Sequence, residues 1–296
     1  MHDVAIIGGG IAGLTSAIYT TRRELKTAVI SLNPGGQMAT TPDIENWPGE
    51  EMINGAMLST KVQKQAQKFG AEIKMGMVSK VAKINNGFEI EFGKEKIQAK
   101  SLILSYGKLP RKLNIPNEKE LEGKGISYCI NCDGQFFKGK DVAIIGGGNS
   151  ALEAAITMST IGDKIYLIHR KDEFRGEKIL IEKVKSLKNI ELILNDEITK
   201  IEGSEKLEKV ITKNGKELLV SGLFVEIGYV ADSSIVSDLV DVDDSNLIKV
   251  NVNQETSQKG VFAAGDITDQ PFQQLVIASG QGATAALSAF KYLQSI

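Results

Sequence analysis

The chain has 296 residues, a length that suits two ordinary domains better than one. Its 42% hydrophobic and 24% charged residues are close to the averages of globular proteins, which excludes a disordered or fibrous class. The formal net charge of -2, with lysines scattered along the chain, disfavours nucleic-acid binding.

The first predicted element is an apolar strand at 4–7 that runs into glycines. Four apolar residues are too few for a signal-peptide core or a membrane span, so we predict a soluble, cytoplasmic protein. The segment DVAIIGGG at 3–10 recurs letter for letter at 141–148. Helical patterns follow both copies, over 14–21 and 152–160. Each copy therefore predicts a strand, a tight turn and a helix, the arrangement that binds a dinucleotide.

Each glycine of the first turn has a predicted task. Gly8 makes the turn, Gly10 lets the backbone approach a pyrophosphate, and Gly13 lets the helix pack closely on the strand. The helix N-terminus then offers unpaired N–H groups and the positive end of its dipole. A single such fingerprint also fits a plain structural turn, but the repetition favours two dinucleotide sites. The matching positions of the second copy are Gly146, Gly148 and Ala151.

Two stretches of alternating apolar and polar residues, at 87–92 and 207–220, predict small antiparallel strands. Together with the two strand–turn–helix units, they define the expected fold class. We predict an α/β protein with two doubly wound, Rossmann-like dinucleotide-binding domains, each carrying a small antiparallel β addition.

The domain boundaries are predicted at linkers. Glycines, prolines and basic residues mark one linker at 107–116, and 228–234 is its return partner. The segment at 260–266 and the helical stretch at 277–293 have no counterpart in the second unit, so we assign them to the first. The predicted domains are 1–110 with 238–296, and 111–237 as an insertion.

The chain has only two cysteines, Cys129 and Cys132, in a YCINCDG segment. A secreted fold stabilised by disulfides would need more. A CxxC pair is a redox dithiol, half of a zinc site, or two unrelated buried thiols. Zinc needs four ligands, and the chain adds only His2 and His169. We therefore predict a redox pair and no metal. Asp133 is a solvated turn residue or, as we favour, the acid or base that moves protons to and from a thiolate.

Five motifs, taken together and in order, resemble the thioredoxin reductases. They are GGQ at 35–37, IENWPG at 44–49, YCxxCDG at 128–134, GGGNSA at 146–151 and VFAAGD at 261–266. The likeness runs from end to end, and a dithiol just ahead of the second glycine turn is specific to this family and its near relatives. The resemblance implies a homodimeric flavoprotein that moves electrons from NADPH through FAD to the cysteine pair, and then to thioredoxin or a thioredoxin-like protein.

The resemblance implies an FAD site in the first domain. The last helix would begin at residues 273–275, and its N-terminus would face the flavin and stabilise negative charge there. Family members usually have Arg-Gln-Ala at this point, so Gln273 leaves one expected positive charge missing. Without the resemblance, Gln37 and Asn46 would be ordinary turn residues. The implied FAD residues are Gly8, Gly10, Ile11, Ala12, Gly13, Ser31, Gly35, Gly36, Gln37, Asn46, Val78, Gly107, Gly265, Asp266, Gln273, Gln274 and Leu275.

In the second domain the resemblance implies NADPH, with the adenine and the 2′-phosphate near a basic loop that follows the second strand. Family members usually have a second arginine where this chain has Lys171, and a lysine keeps the charge but loses the bidentate fork. A solvated basic loop is the alternative interpretation. The implied residues are Gly146, Gly148, Asn149, Ser150, Ala151, His169, Arg170, Lys171 and Arg175.

Two points remain open in the sequence. We favour Cys132 as the cysteine that faces the flavin, because it neighbours Asp133, with Cys129 the more exposed of the two. Lys171 and Gln273 also leave room for a related reductase that is fed by ferredoxin or serves a glutaredoxin-like or peroxidase partner. A flavin-binding redox sensor, whose dithiol changes shape without turning over, is a further alternative.

Overall fold

The computed structural model describes residues 1–41 and 44–296, which form two compact units. The first unit comprises residues 1–109 and 231–296, and the second comprises 110–230. Residues 231–237, which were predicted to belong to the second unit, lie in the first. The reason is burial: Ala231 and Val236 belong to an apolar cluster with Ile7 of the first unit.

The sheet of the first unit is parallel at its centre and antiparallel at one end. Numbered along the chain, its strands are β1 (His2–Ile7), β2 (Thr27–Ser31), β3 (Glu72–Met75), β4 (Val78–Ile84), β5 (Gly87–Phe92), β6 (Glu95–Leu104) and β17 (Val261–Ala263). Their order is β3-β2-β1-β6-β5-β4, and β17 also pairs with β6. Strands β1, β2, β3, β6 and β17 pair in parallel, whereas β5 pairs antiparallel with both β4 and β6.

Strand β1 shows how this sheet is buried. Val4 and Ile6 belong to one apolar cluster, and Ala5 and Ile7 to another. Because successive side chains of a strand point to opposite faces, both faces of the sheet are covered at its centre. This explains why the strand appears in the sequence as an uninterrupted apolar run.

The helices of the first unit are α1 (Ile11–Thr21), α2 (Gly36–Thr40), α3 (Gly55–Lys68) and α8 (Leu275–Leu293). Helices α1 and α8 cross closely at Gly282, where an added Cβ would lie 2.2 Å from the Ala12 carbonyl oxygen. The Ser16 hydroxyl donates to the Gly282 carbonyl at 2.8 Å. This crossing holds the N-terminal half of α8 beside the start of α1.

The second unit repeats the parallel arrangement on a smaller scale. Its strands are β8 (Ile126–Ser127), β9 (Val142–Ile145), β10 (Ile165–His169), β11 (Ile190–Leu194), β12 (Ile198–Glu202), β13 (Lys209–Thr212), β14 (Glu217–Leu219) and β15 (Gly222–Val225). The parallel sheet has the order β11-β10-β9-β15-β8, and a separate antiparallel sheet has the order β12-β13-β14. The predicted fold class is confirmed.

The remaining elements are short or helical. The short strands β7 (Leu109–Pro110) and β16 (Tyr229–Val230) pair with each other. Within residues 1–41 and 44–296, no helix has the length and apolar composition needed to cross a membrane. The helices of the second unit are α4 (Glu118–Leu121), α5 (Ile130–Asp133), α6 (Asn149–Ser159) and α7 (Lys178–Ser186), with a 3-10 helix at Gly134–Phe137.

Candidate active site

The first glycine turn connects β1 to α1. Gly8 has a φ of +107°, and a Cβ there would lie 2.4 Å from the Ser105 carbonyl oxygen. A Cβ on Gly13 would lie 2.0 Å from the Gly8 carbonyl oxygen, so both positions require glycine. A Cβ on Gly10, in contrast, would have no heavy atom within 4 Å. Gly10 begins α1 without a side-chain cap, which leaves space and backbone N–H groups for a phosphate.

Three further predicted residues lie against this turn. The Gly35 N–H donates to the Gly9 carbonyl at 2.6 Å, and a Cβ on Gly36 would lie 3.4 Å from the Gly10 Cα. A Cβ on Gly9 would lie 2.9 Å from the Ser31 Oγ at the end of β2. Ser31 and the loop before α2 are therefore gathered at the place where a dinucleotide would bind. Gln37 is exposed, and its Nε2 donates over 3.4 Å to the Lys108 carbonyl.

The segment after β17 reaches the same turn from another side. A Cβ on Gly265 would lie 3.1 Å from the Ala12 Cβ. The Gly265 N–H donates to the Gln281 side-chain oxygen at 2.8 Å. Burial raises the pKa of the adjacent Asp266, and the positive charge of Lys108 partly opposes that rise. Gln281 was not among the predicted residues, because its contact with Gly265 joins positions 16 residues apart.

The predicted flavin end of the site consists of exposed amides. The Asn46 Nδ2 donates to the Gln274 Oε1 at 3.2 Å, which ties the IENWPG loop to the start of α8. Gln274 is the N-terminal capping residue of this 19-residue helix, but its side chain makes no capping hydrogen bond to the helix backbone. Gln273 is exposed beside it, and Leu275 is the first helical residue. The N-terminal backbone groups of α8 are thus left open to a ligand.

Some predicted FAD residues have other tasks in the fold. Val78 is buried in the apolar cluster that contains Ile7. Gly107 has a φ of +65°, a backbone conformation that favours glycine. A Cβ there would have no heavy atom within 4 Å, so the turn conformation and not crowding explains this glycine. Ile11 and Ala12 are buried core residues that offer a cofactor only their backbone.

The second glycine turn connects β9 to α6 and has the geometry of the first. Gly146 has a φ of +153°, and a Cβ there would lie 2.2 Å from the Glu226 carbonyl oxygen and 2.6 Å from the Ala151 Cβ. A Cβ on Gly148 would have no heavy atom within 4 Å, and Gly148 begins α6 without a side-chain cap. Ser150 is exposed in the first turn of that helix. The residues present therefore fit a second dinucleotide.

A basic loop is fastened to this second turn. The Arg175 N–H donates to the Gly147 carbonyl at 2.7 Å. The Asn149 Nδ2 donates to the Glu177 Oε1 at 2.9 Å, and the Glu177 N–H donates back to the Asn149 Oδ1 at 2.8 Å. Arg170, Lys171 and Arg175 are exposed, and none forms an ion pair within the part of the chain that the structure describes.

His169 does not join these cations. It is only 4% exposed, its ring lies so close to Gly147 that an added Cβ would meet Cε1 at 2.1 Å, and it stacks on Phe174. Burial, followed by the positive charge of Arg175, lowers the pKa of His169. As the last residue of β10, it packs as a neutral ring under the turn, so the charge of the basic loop comes from its other members.

Three carboxyl groups lie around the second turn. Burial, with the negative charge of Glu153 as a smaller cause, raises the pKa of Glu226 to about 7. Burial also raises the pKa of Glu153, with Glu177 as a smaller cause. The sequence around Glu226 carries no signal for this site, because the burial of Glu226 depends on how β15 packs beside β9.

The redox pair lies at the start of α5. Cys129 and Cys132 form a disulfide, and the Cys132 N–H donates to the Cys129 Sγ at 3.2 Å. The expectation that Cys129 is the more exposed of the two is wrong, because Cys132 is exposed and Cys129 is half-buried. Cys129 is the capping residue of α5 and is tied to the preceding strand, whereas Cys132 lies within the helical turn.

Asp133 is held by Ser127, which was not among the predicted site residues. The Ser127 hydroxyl donates to the Asp133 Oδ2 at 2.7 Å, and the Cys129 N–H donates to the Ser127 Oγ at 3.1 Å. Ser127 is buried at the end of β8. A serine in a short strand carries no sequence signal of its own, since the contact depends on the chain reversal between β8 and α5.

Comparisons with known proteins agree with this arrangement. Residues 2–282 match the family model described as pyridine nucleotide-disulphide oxidoreductase. The chain is 36% identical to thioredoxin reductase of Bacillus subtilis, over 100% of this chain and 96% of that protein. The crystal structure of Lactococcus lactis thioredoxin reductase matches with a TM-score of 0.87 and 35% identity, over 100% of both chains. A ferredoxin-flavin thioredoxin reductase from Clostridium acetobutylicum matches with a TM-score of 0.57 and 31% identity, over 100% of this chain and 99% of that one.

Proposed function

The chain belongs to the pyridine nucleotide-disulphide oxidoreductase family and is an oxidoreductase of the thioredoxin reductase type, and from this premise we propose its cofactors and its electron acceptor. Electrons pass from NADPH through FAD to the Cys129–Cys132 disulfide, and from there to thioredoxin or a thioredoxin-like protein. The observation that carries this proposal is the occurrence, in one chain, of two open glycine turns and a disulfide between its only two cysteines.

The first turn is the proposed FAD site. The pyrophosphate would rest on the backbone N–H groups at the start of α1, with Gly35 and Gly36 closing the same side. Asn46 and Gln274 would lie at the flavin end, where the open N-terminus of α8 favours negative charge. When bound, FAD accepts a hydride from NADPH and supplies its two electrons to the disulfide.

The second turn is the proposed NADPH site. The pyrophosphate would rest at the start of α6, and the basic loop would take the 2′-phosphate through Arg170, Lys171 and Arg175. The backbone N–H groups of Arg175 and Glu177 anchor this loop to the turn, so the backbone that carries the cations is held in place. An ordered loop loses less entropy on binding than a mobile one, which supports a specific phosphate site over a merely solvated loop.

The redox pair passes electrons by thiol–disulfide exchange. Reduction of the disulfide by two electrons and two protons gives two thiols, one of which must lose its proton before it attacks the disulfide of a partner. The backbone N–H that points at the Cys129 Sγ stabilises a thiolate there. The second sulfur then resolves the mixed disulfide and re-forms the Cys129–Cys132 bond, while the partner leaves with two thiols.

The remaining parts of the proposal rest on the family resemblance and on cysteine usage. We expect a homodimer, as the resemblance implies. We expect a cytoplasmic location, because a chain whose only cysteines form a redox pair suits a reducing compartment in which thioredoxin works.

The ferredoxin-fed alternative is the weaker one. The second glycine turn and its anchored basic loop provide a complete place for a dinucleotide with a 2′-phosphate. A reductase that takes its electrons from ferredoxin has no use for these unpaired cations. Gln273, where relatives usually have an arginine, lies at the flavin end of the first site. It therefore does not change what the basic loop of the second unit indicates about NADPH.

Replacement of either cysteine separates the two half-reactions. In Cys129→Ser and Cys132→Ser we expect NADPH-dependent reduction of thioredoxin to be lost, while FAD stays bound and is still bleached by NADPH, because the hydride step precedes the dithiol. Stopped-flow flavin absorbance and steady-state thioredoxin turnover measure the two steps. Retained turnover in either variant would contradict the proposed function.

A further inference from the structure

Ser127 forms a closed hydrogen-bonded ring with the backbone of Cys129 and with Asp133, the proposed proton carrier. The Cys129 N–H donates to the Ser127 Oγ at 3.1 Å, and the Ser127 hydroxyl donates to the Asp133 Oδ2 at 2.7 Å. The Asp133 N–H donates to the Cys129 carbonyl at 3.2 Å, which completes the ring. The Ser127 Oγ is also 3.2 Å from the Cys129 carbonyl oxygen. Its single proton favours the carboxylate, because a hydrogen bond to a charged acceptor is shorter and stronger.

This ring is built on a rigid element. Ser127 is only 6% exposed and ends strand β8, which pairs in parallel with β15 at Phe224. Asp133, in contrast, ends the four-residue helix α5 and is half-buried. The hydroxyl therefore holds the Asp133 carboxylate, which belongs to a short helical turn, in a fixed position relative to the sheet.

The chemistry of the pair needs that carboxylate in a fixed place. One thiol of the reduced pair loses a proton before it attacks, and the leaving sulfur of the partner gains one. A base assists only when it lies within hydrogen-bond reach of the proton it takes. Ser127 occupies Oδ2, and no described residue is bonded to Oδ1, so Oδ1 is the oxygen available to take up the proton.

We propose that Ser127 is a positioning residue for the redox pair. Its hydroxyl orients the Asp133 carboxylate toward the dithiol, and it takes no part in the proton transfer itself. This proposal rests on the disulfide reductase function proposed above. It assigns the serine two positions before the first cysteine a role in the exchange step and none in the reduction of the flavin.

A double-mutant cycle tests whether Ser127 acts through Asp133. We expect Ser127→Ala to slow thioredoxin reduction about 10-fold, as loss of one hydrogen bond to a charged group would, with the rate of flavin bleaching by NADPH unchanged. In an Asp133→Asn background the same substitution should have almost no further effect. Ser127→Thr keeps the hydroxyl and should retain most of the activity. Ser159→Ala, which removes a half-buried hydroxyl bonded to the Ile156 carbonyl in the same unit, is the matched control.

A second measurement needs neither NADPH nor thioredoxin. The protein is reduced with dithiothreitol, and the rate of alkylation by iodoacetamide is followed from pH 5 to pH 10. We expect the profiles of Ser127→Ala and Asp133→Asn to depart from wild type in the same direction, and that of Ser159→Ala to match wild type. If the alkylation profiles differ as expected but the wild-type protein does not reduce thioredoxin, the proposed function is contradicted and the role of Ser127 still holds.

Three results would overturn the assignment of Ser127. One is an alkylation profile of Ser127→Ala that matches wild type while that of Asp133→Asn does not. Another is a fold-loss of turnover in the double variant that equals the product of the two single losses, because this is the result for two independent effects. The third is equal loss in Ser127→Thr and Ser127→Ala, which would mean that packing and not the hydroxyl matters.

Discussion

Arg170, Lys171 and Arg175 distinguish the second glycine turn from the first at the level of single residues. At the corresponding place in the first unit, Ser31 is buried and the next residue is Leu32. A 2′-phosphate would form charge-assisted hydrogen bonds with the basic loop, each worth roughly 1.5–3 kcal/mol, whereas the plain ribose hydroxyl of NADH leaves the cations unused. The same loop should therefore select between the two coenzymes.

Removal of one of these cations tests that selection. We expect Arg170→Ala to weaken NADPH binding about 10- to 100-fold, since each tenfold loss of affinity corresponds to about 1.4 kcal/mol. NADH binding should stay almost unchanged. Apparent KM values for each coenzyme, measured at fixed ionic strength, give the comparison. Lys188→Ala, which removes an exposed cation elsewhere in the same unit, is the control. Equal losses for both coenzymes would mean that the loop is only a solvated surface.

Glu226 makes a pH-dependent contribution to stability. Burial raises its pKa to about 7, so the folded chain keeps the proton that the unfolded chain releases near pH 4.3. The stabilisation is fully present below the unfolded pKa and is lost as the pH rises through about 7. We expect Glu226→Gln to be more stable than wild type by about 1 kcal/mol at pH 5 and by about 3–4 kcal/mol at pH 8.

Thermal denaturation at the two pH values measures this difference. Glu205→Gln, which removes an exposed carboxylate in the same unit, should change the melting temperature little at either pH. A gain of the same size at pH 5 and pH 8 for Glu226→Gln would show that the carboxyl group is not buried as described.

Which residues could be predicted from the sequence depends on how local their task is. The glycines and the cysteine pair are recognisable because one backbone conformation or one short spacing defines them. Gln281 contacts a residue 16 positions away, and Glu226 is buried only when β15 is in place, so neither has a local signature. The burial of His169 at the end of β10 likewise depends on how that strand packs, so no local pattern in the sequence indicates it.

At the level of elements, a strand–turn–helix unit contains two kinds of glycine position. At one kind the fold has no room for a side chain, and at the other the open space would admit a cofactor. Gly13 has no room for a side chain, whereas Gly10 and Gly148 face open space. An alanine at Gly13 should therefore destabilise the fold by about 1–3 kcal/mol. An alanine at either open position should leave the fold intact and occupy the space into which a phosphate would approach.

Alanine at Gly10 or at Gly148 tests which cofactor binds at which turn. We expect Gly10→Ala to bind FAD at least about 10-fold more weakly than wild type, while its circular dichroism stays native. Gly148→Ala should keep its FAD and lose affinity for NADPH by a similar factor. Flavin content after purification and NADPH titration measure the two effects. Loss of FAD in Gly148→Ala, with Gly10→Ala unaffected, would reverse the assignment of the turns.

The elements themselves were mostly predictable, but their first residues were not. The apolar patterns indicate helices from 14 and 152, whereas α1 begins at Ile11 and α6 at Asn149. The first turn of each helix is occupied by the turn motif, which interrupts the apolar period. The Asn149–Glu177 bond joins residues that are 28 positions apart, so the anchoring of the basic loop appears only in three dimensions.

At the level of the whole molecule, one duplicated segment accounts for most of what the sequence predicted. DVAIIGGG occurs in both units, and both form a parallel sheet with a helix that starts directly after the last glycine of the turn. The return from the second unit was placed too late, because the burial of Ala231 and Val236 against the first unit's sheet follows from tertiary packing. The order of the parts, glycine turn, dithiol, glycine turn, is what makes a relay of electrons chemically complete in one chain.

The most direct test of this relay is an anaerobic titration of the purified yellow protein with NADPH, followed by oxidised thioredoxin. We expect about two equivalents of NADPH to bleach the flavin absorbance, because the flavin and the Cys129–Cys132 disulfide each accept two electrons. Addition of thioredoxin should then restore the yellow colour and release thiols in proportion. A protein that stays yellow with NADPH but is bleached by reduced ferredoxin, or one that NADPH bleaches and thioredoxin cannot reoxidise, would contradict this account.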